Sequence, residues 1–71
     1  MNNEIFLSLE EDVLDELKGR HYLSLDTAKE VLNLNKFKDR FINNSKQFDY
    51  LETEEIAKEF YKTYMYLTSN K

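Results

Sequence analysis

Apolar residues recur along the chain with the period of a helix. Leu9, Val13 and Leu17 are spaced four residues apart, which places them on one face of a first helix. The pattern predicts that this helix begins near Ser8, because a glutamate three residues later completes the spacing of a capping box. Gly19 has the character of a residue that follows a helix end.

Three further helices are predicted from the same period. Ser24 is a favourable N-cap for a second helix, whose apolar face runs over residues 25–32. A third helix is predicted over residues 36–43. A fourth helix is predicted to follow Thr53, and one face of this helix carries large apolar residues. We therefore expect a mainly α fold of three to four helices, forming a single helical domain over residues 1–71.

Two short segments leave an alternative open. Residues 4–7 form a short apolar segment, and residues 47–51 alternate apolar and polar positions at first. Short apolar runs do not distinguish a strand from a helix. The pattern therefore allows a short two-stranded β pairing of residues 4–7 with residues 48–51, beside the alternative that residues 4–7 start a helix.

The apolar faces of the predicted helices also predict the core. Its members share helical spacing and large or closely packing side chains. They are Leu9, Val13, Leu17, Leu25, Ala28, Leu32, Phe37, Phe41, Ile56 and Phe60.

Composition narrows the chemistry. The 71 residues include no Cys, one Gly and one His, so there is no thiolate for a zinc site and no glycine-rich loop for a phosphate. The acidic residues lie in first turns and on polar faces, where carboxylates suit the helix dipole. We expect no enzymatic activity, no cofactor, no metal and no small-molecule substrate. No apolar run approaches about 20 residues, so we expect a cytoplasmic protein that does not enter membranes.

Charge is distributed unevenly within a formal net charge of −4. Residues 1–30 carry a net charge of −5, and residues 49–71 carry −2. Between them lies the basic segment, residues 31–48, with a net charge of +3. It contains one acidic residue, Asp39, and four basic residues, Lys36, Lys38, Arg40 and Lys46. This contrast marks the basic segment as a candidate for contact with an anionic partner.

The second and third predicted helices have the form of a helix-turn-helix, with Ala28 where two helices approach closely. In that motif the second helix lies in the major groove of DNA. Arg40 and Asn43 have the chemistry to recognise guanine and adenine edges, whereas lysines suit phosphates. We therefore predict a duplex DNA-binding site formed by Lys36, Lys38, Arg40, Asn43 and Lys46.

Three sequence stretches resemble the excisionase and MerR-like winged helix-turn-helix family. Residues 23–28, Leu-Ser-Leu-Asp-Thr-Ala, are similar to the opening of its first helix. Residues 32–34 are similar to its turn, with Asn33 where the family prefers Gly, and residues 51–56 to the helix after the wing. The resemblance covers residues 22–60. It implies a small DNA-binding regulator or recombination accessory factor of the kind found in phages and mobile elements.

A second interpretation is a small acidic protein-binding module that inhibits or modulates a larger partner, with nucleic-acid-binding proteins among the candidates. Carboxylates along one helix offer a basic partner a complementary surface, and Tyr is enriched in interfaces. The candidate partner-binding residues lie on the first and last helices. They are Glu11, Asp12, Asp15, Tyr61, Met65 and Tyr66. The wide aromatic arc of the last helix also allows a homodimer.

Overall fold

The computed structural model describes residues 3–69. Its regular structure consists of α1 (Asn3–Arg20), α2 (Leu25–Leu34), α3 (Phe37–Asn43), a 3₁₀ helix (Ser45–Phe48) and α4 (Thr53–Ser69). No strand occurs within residues 3–69, and the expectation of a mainly α fold of up to four helices is confirmed.

The start of α1 corrects two expectations. The helix begins five residues before Ser8, so Ser8 is not its N-cap, and residues 4–7 are helical rather than a strand. The reason is Phe6, which continues the apolar stripe of α1 upstream. Its buried ring lies 5.2 Å from both Phe37 and Phe41, measured between ring centroids. Those contacts require residues 4–7 to stay in helical register.

The other half of the predicted β pairing is also wrong. Phe48 ends the 3₁₀ helix, and a turn follows in which the N–H of Leu51 donates to the carbonyl of Phe48 at 3.3 Å. The Phe48 ring is buried, with its centroid 5.2 Å from that of Phe37 and 6.3 Å from that of Phe60. The conformation of this segment is therefore set by one buried aromatic ring and a tight turn, and the predicted strand does not form.

The end of α1 differs from the expected one as well. The helix continues through Gly19 to Arg20, and the chain then turns at Tyr22, whose φ of 57° is in the left-handed region. The Arg20 guanidinium lies 2.7 Å from the Glu16 carboxylate and 3.5 Å from that of Glu54. These exposed pairs contribute little free energy, but they set the end of α1 beside the start of α4.

α2 begins where the sequence predicts. The Ser24 hydroxyl accepts a hydrogen bond from the backbone N–H of Thr27 at 3.2 Å, which confirms Ser24 as the N-cap. Ala28 and Val31 are fully buried. Leu25, expected in the core, is 45% exposed because it occupies the first turn, ahead of the buried positions of α2.

The core is centred on the aromatic ring of Phe37, which is 2% exposed. Its ring centroid lies 5.0–5.2 Å from those of Phe6, Phe48 and Phe60, at distances typical of favourable aromatic pairs. Leu9 and Phe41 are half-buried at the edge. The other buried apolar residues are Val13, Leu17, Ala28, Val31, Leu32, Ile56 and Ala57. The core thus ties α3 to all three longer helices.

A two-residue turn, Asn35 and Lys36, connects α2 to α3. The Asn35 side chain is buried, and its amide nitrogen donates to the carbonyls of Val31 at 2.8 Å and Phe60 at 3.0 Å. Lys36 adopts a left-handed conformation with φ 54° and ψ 44°. The turn therefore anchors the end of α2 to α4 and fixes the direction in which α3 leaves.

Candidate functional site

The structure places all five of the predicted DNA-binding residues on the surface. Lys36, Lys38, Asn43 and Lys46 are all exposed, and none of the three lysines takes part in a salt bridge with the described residues. At 100° per residue, Asp39 occupies the centre of the solvent-facing side of α3, opposite the buried phenylalanine. A carboxylate thus stands in the middle of the surface that a recognition helix would present to DNA.

The side chain of the fifth residue, Arg40, makes several contacts within the fold. Its guanidinium carbon lies 5.3 Å from the ring centroid of Phe60 and 5.7 Å from that of Phe48. Two guanidinium nitrogens donate to the side-chain oxygen of Gln47 at 3.0 and 3.2 Å. The Gln47 amide in turn donates to the carbonyls of Arg40 and Asn44. Reading a base would require Arg40 to leave these partners.

A groove that the sequence did not predict lies between α1 and the α3–3₁₀ region. We call it the apolar groove, and it has a volume of about 470 Å³. Ile5 and Ile42 are its exposed walls, at 58% and 47% exposure. Leu9, Phe41 and Phe48 complete its apolar lining, and Ser45 and Asp49 also border it.

The apolar groove continues into an acidic surface along the same side of α1. Ile5 and Leu9 also line a shallower depression together with Glu4, Ser8 and Asp12. Asp12 then borders a third depression with Asp15, Glu16 and Thr53. We call Asp12, Asp15 and Glu16 the acidic row. On this side of α1, the apolar positions Ile5 and Leu9 therefore follow Glu4 and are followed by the acidic row.

Only part of the acidic row is neutralised within the chain. Glu16 pairs with Arg20, and the Asp15 carboxylate lies 3.8 Å from the ammonium of Lys18, with both side chains largely exposed. Asp12 and Asp49 take part in no salt bridge with the described residues. The carboxylates of Asp12 and Asp49 are therefore not engaged in ion pairs within residues 3–69.

The structure separates the two sets of predicted partner-binding residues. Tyr61 is half-buried, with its ring 4.8 Å from that of His21 and 6.5 Å from that of Tyr64. Met65 and Tyr66 are exposed on the last turns of α4. The acidic row lies beside the first residue of α4, so about 18 Å of helix separates it from Met65 at 1.5 Å per residue.

Glu11 is exposed on α1 but lies outside the acidic row and the apolar groove. Of the predicted acidic residues, only Asp12 and Asp15 therefore border the new surface. The missed residues did carry a signal: Ile5 and Leu9 have the i, i+4 spacing of a helix face, and Ile42 follows Phe41 within the basic segment. This helical spacing was not used because residues 4–7 were also compatible with a strand.

Residues 3–69 contain no group of three or more His, Asp or Glu side chains placed to hold a metal ion. Within the same residues, no helix combines the length and the hydropathy that crossing a membrane requires.

Comparison with family models, with curated proteins and with solved structures finds no match for this chain. The similarity to excisionase and MerR-like proteins therefore stays a prediction, and arguments about function depend on the chain's own geometry.

Proposed function

We propose that the protein is a small, non-enzymatic protein-binding module whose docking surface combines the apolar groove with the acidic row. The observation that carries the proposal is their continuity: Ile5 and Leu9 line both the groove and the depression that contains Asp12. A central apolar patch with a charged rim is the usual composition of a protein interface.

Each part of this surface has a physical role in binding. Ile5 and Ile42 expose apolar area, and its removal from water is worth about 25 cal/mol per Å². The carboxylates of Asp12 and Asp15 attract a basic partner before contact and orient it, which mainly raises the association rate. Since this attraction is electrostatic, the association rate falls as salt is added. Blocking a basic surface of the partner would then inhibit or modulate it.

Photo-crosslinking in the source cells tests this function. The photoreactive residue p-benzoylphenylalanine replaces Ile42 in the apolar groove or, as a matched control, the similarly exposed Leu34 on α2. We expect the variant at position 42 to give a discrete adduct with another protein, and the variant at position 34 to give none. Equal adducts from both positions, or none from position 42, contradict the proposal.

DNA binding is the second candidate, favoured by the exposed ammonium groups of Lys36, Lys38 and Lys46, which form no salt bridge with residues 3–69. In that case the protein acts as the regulator or recombination accessory factor that its sequence resemblance implies. The lysines would contact phosphates, which fix position without reading sequence. With Arg40 held in the fold, Asn43 is the remaining predicted side chain for base recognition.

Fluorescence anisotropy with labelled mixed-sequence duplex DNA tests the second candidate. Replacing all three lysines with Ala should weaken binding and reduce the salt dependence by about 0.9 per lost contact in log K against log salt. The matched control replaces three other exposed lysines, Lys29 on α2 and Lys58 and Lys62 on α4. Absence of binding at low salt, or equal losses in both variants, contradicts DNA binding.

A further inference from the structure

We infer that the occupant of the apolar groove is an amphipathic helix of a partner protein that presents apolar residues on one face and Lys or Arg about two turns away. This inference rests on the proposed function, because it names the chemistry of the partner at the same surface. It follows from the apolar lining of the groove, from the absence of strands in residues 3–69, and from the position of the carboxylates.

The way in which a peptide can bind here is restricted. An extended peptide gains affinity by adding to the edge of a sheet, and residues 3–69 offer no strand for such pairing. The lining side chains of the apolar groove are apolar except at Ser45 and Asp49. A helix satisfies its own backbone hydrogen bonds, so it can occupy an apolar groove through side chains alone. Apolar residues at i, i+3, i+4 and i+7 would face the groove.

The acidic row supplies the charge complementarity. Asp12 lies seven residues after Ile5 on α1, a separation of about 10 Å along the helix axis, and Asp15 lies about 15 Å from Ile5. A docked helix that follows α1 would therefore place basic side chains two to three turns from the anchor that contacts Ile5, and about one to two turns from the anchor that contacts Leu9. Asp49, at the border of the groove, favours a positive charge beside the anchors as well. An acidic helix would meet like charges at both places.

A synthetic peptide pair provides the probe. The first peptide is a capped 16-residue helix with Leu at the four anchor positions and Lys two to three turns from the first anchor. The second peptide replaces each Lys with Glu. We expect the Lys peptide to bind the full chain at least ten times more tightly than the Glu peptide at low salt. Since the discrimination is electrostatic, the ratio should shrink as salt is added. Equal affinities, or no binding of the Lys peptide, overturn the inference.

Matched variants locate the site. Ile42→Ser and the double change Asp12→Asn with Asp15→Asn should each weaken binding of the Lys peptide at least fivefold. Their controls are Leu34→Ser and the double change Asp26→Asn with Glu30→Gln, which alter the same residue classes on α2. All these side chains are exposed, so helical circular dichroism should stay unchanged. Equal losses in the variants and their controls overturn the inference.

The remaining outcomes separate the inference from the proposed function. Crosslinking from position 42 to a partner, without binding of the Lys peptide, retains the protein-binding module and rejects the basic helix. A second copy in the groove would appear as a concentration-dependent dimer in sedimentation that Ile42→Ser abolishes, and this also rejects the basic helix. Failure of both crosslinking and peptide binding rejects the function together with its occupant.

Discussion

The basic segment and the acidic side of α1 are both charged surfaces, but the fold uses them differently. In the basic segment, Arg40 lies against two buried aromatic rings and donates hydrogen bonds to Gln47. In the acidic row, Asp12 has no ionic partner among the described residues and adjoins an apolar groove. The Arg40 side chain thus already has partners within the fold, whereas the Asp12 carboxylate forms no salt bridge with the described residues.

The difference shows what a charge pattern can and cannot establish. Charge along the chain identifies which surfaces are polar, and both surfaces were found in that way. Whether a charged group is available depends on its neighbours in three dimensions, since an arginine can cover apolar rings with its planar head and its stem. An apolar patch beside a charged one is what distinguishes an interface from an ordinary solvated face.

The strongest test of this comparison is Phe37→Ala, because the ring of Phe37 holds α3 and its basic residues in the core. We expect a loss of about 3–5 kcal/mol in the free energy of unfolding, as for other buried Phe truncations. Total stability for a domain of this size is about 4–10 kcal/mol, so urea denaturation should show a largely destabilised protein. Ile42→Ala, on the exposed side of the same helix, is the control, and similar losses in both would refute the placement of α3.

A second test compares one charged residue from each surface. Arg40→Ala should reduce the free energy of unfolding by about 1–2 kcal/mol, because it removes two cation–π contacts and the hydrogen bonds to Gln47. Asp12→Ala should change it by less than about 0.5 kcal/mol, as is usual for surface residues without partners. Chemical denaturation measures both. If Arg40→Ala costs no more than Asp12→Ala, the contrast between the two surfaces fails.

The two serines that the sequence marks as caps provide a third test. Ser24→Ala should cost about 1 kcal/mol, because the N–H of Thr27 loses its acceptor. Ser8→Ala should be neutral or stabilise the protein by a few tenths of a kcal/mol, because Ser8 lies within α1 and Ala has the higher helix propensity. Thermal unfolding followed by circular dichroism distinguishes them. A large loss from Ser8→Ala would show that α1 begins where the sequence alone places it.

A fourth test measures the free energy of unfolding after a substitution in the turn before α3. Lys36 is left-handed, which is unfavourable for any residue with a Cβ atom, so Lys36→Gly should stabilise the fold by about 0.5–1 kcal/mol. The same change removes one charge from the basic segment. It should leave binding of the Lys peptide unchanged, and a destabilised protein would show that the turn differs from the one described.

The helices of the central part of the chain were predictable because their signals are local. Ser24 caps the second helix as its position indicates, and the third helix follows from the i, i+4 pair Phe37 and Phe41. The first helix was placed too late because the short apolar run of residues 5–7 fits a strand as well as a helix, and the ring contacts of Phe6 with Phe37 and Phe41 are tertiary. Phe48 was missed for the same reason, as one aromatic residue in a turn has no period.

The candidate site was less predictable than the fold. Asp12 and Asp15 were identified from charge, whereas the apolar groove beside them arises where α1 meets α3 and the 3₁₀ helix. The role of Arg40 also depends on tertiary contacts, since its partners Gln47, Phe48 and Phe60 come from later parts of the chain. Both features combine residues far apart in sequence.

The central claim is that the acidic side of α1, rather than the basic segment, is the binding surface. Two-dimensional amide NMR of the labelled protein tests it directly, in separate titrations with the Lys peptide and with mixed-sequence duplex DNA. We expect the peptide to shift the amide signals of Ile5, Leu9, Asp12 and Ile42. We expect DNA to shift no amide signal in the basic segment. Shifts from DNA at Lys36, Lys38 and Lys46, with no response to the peptide, would contradict it.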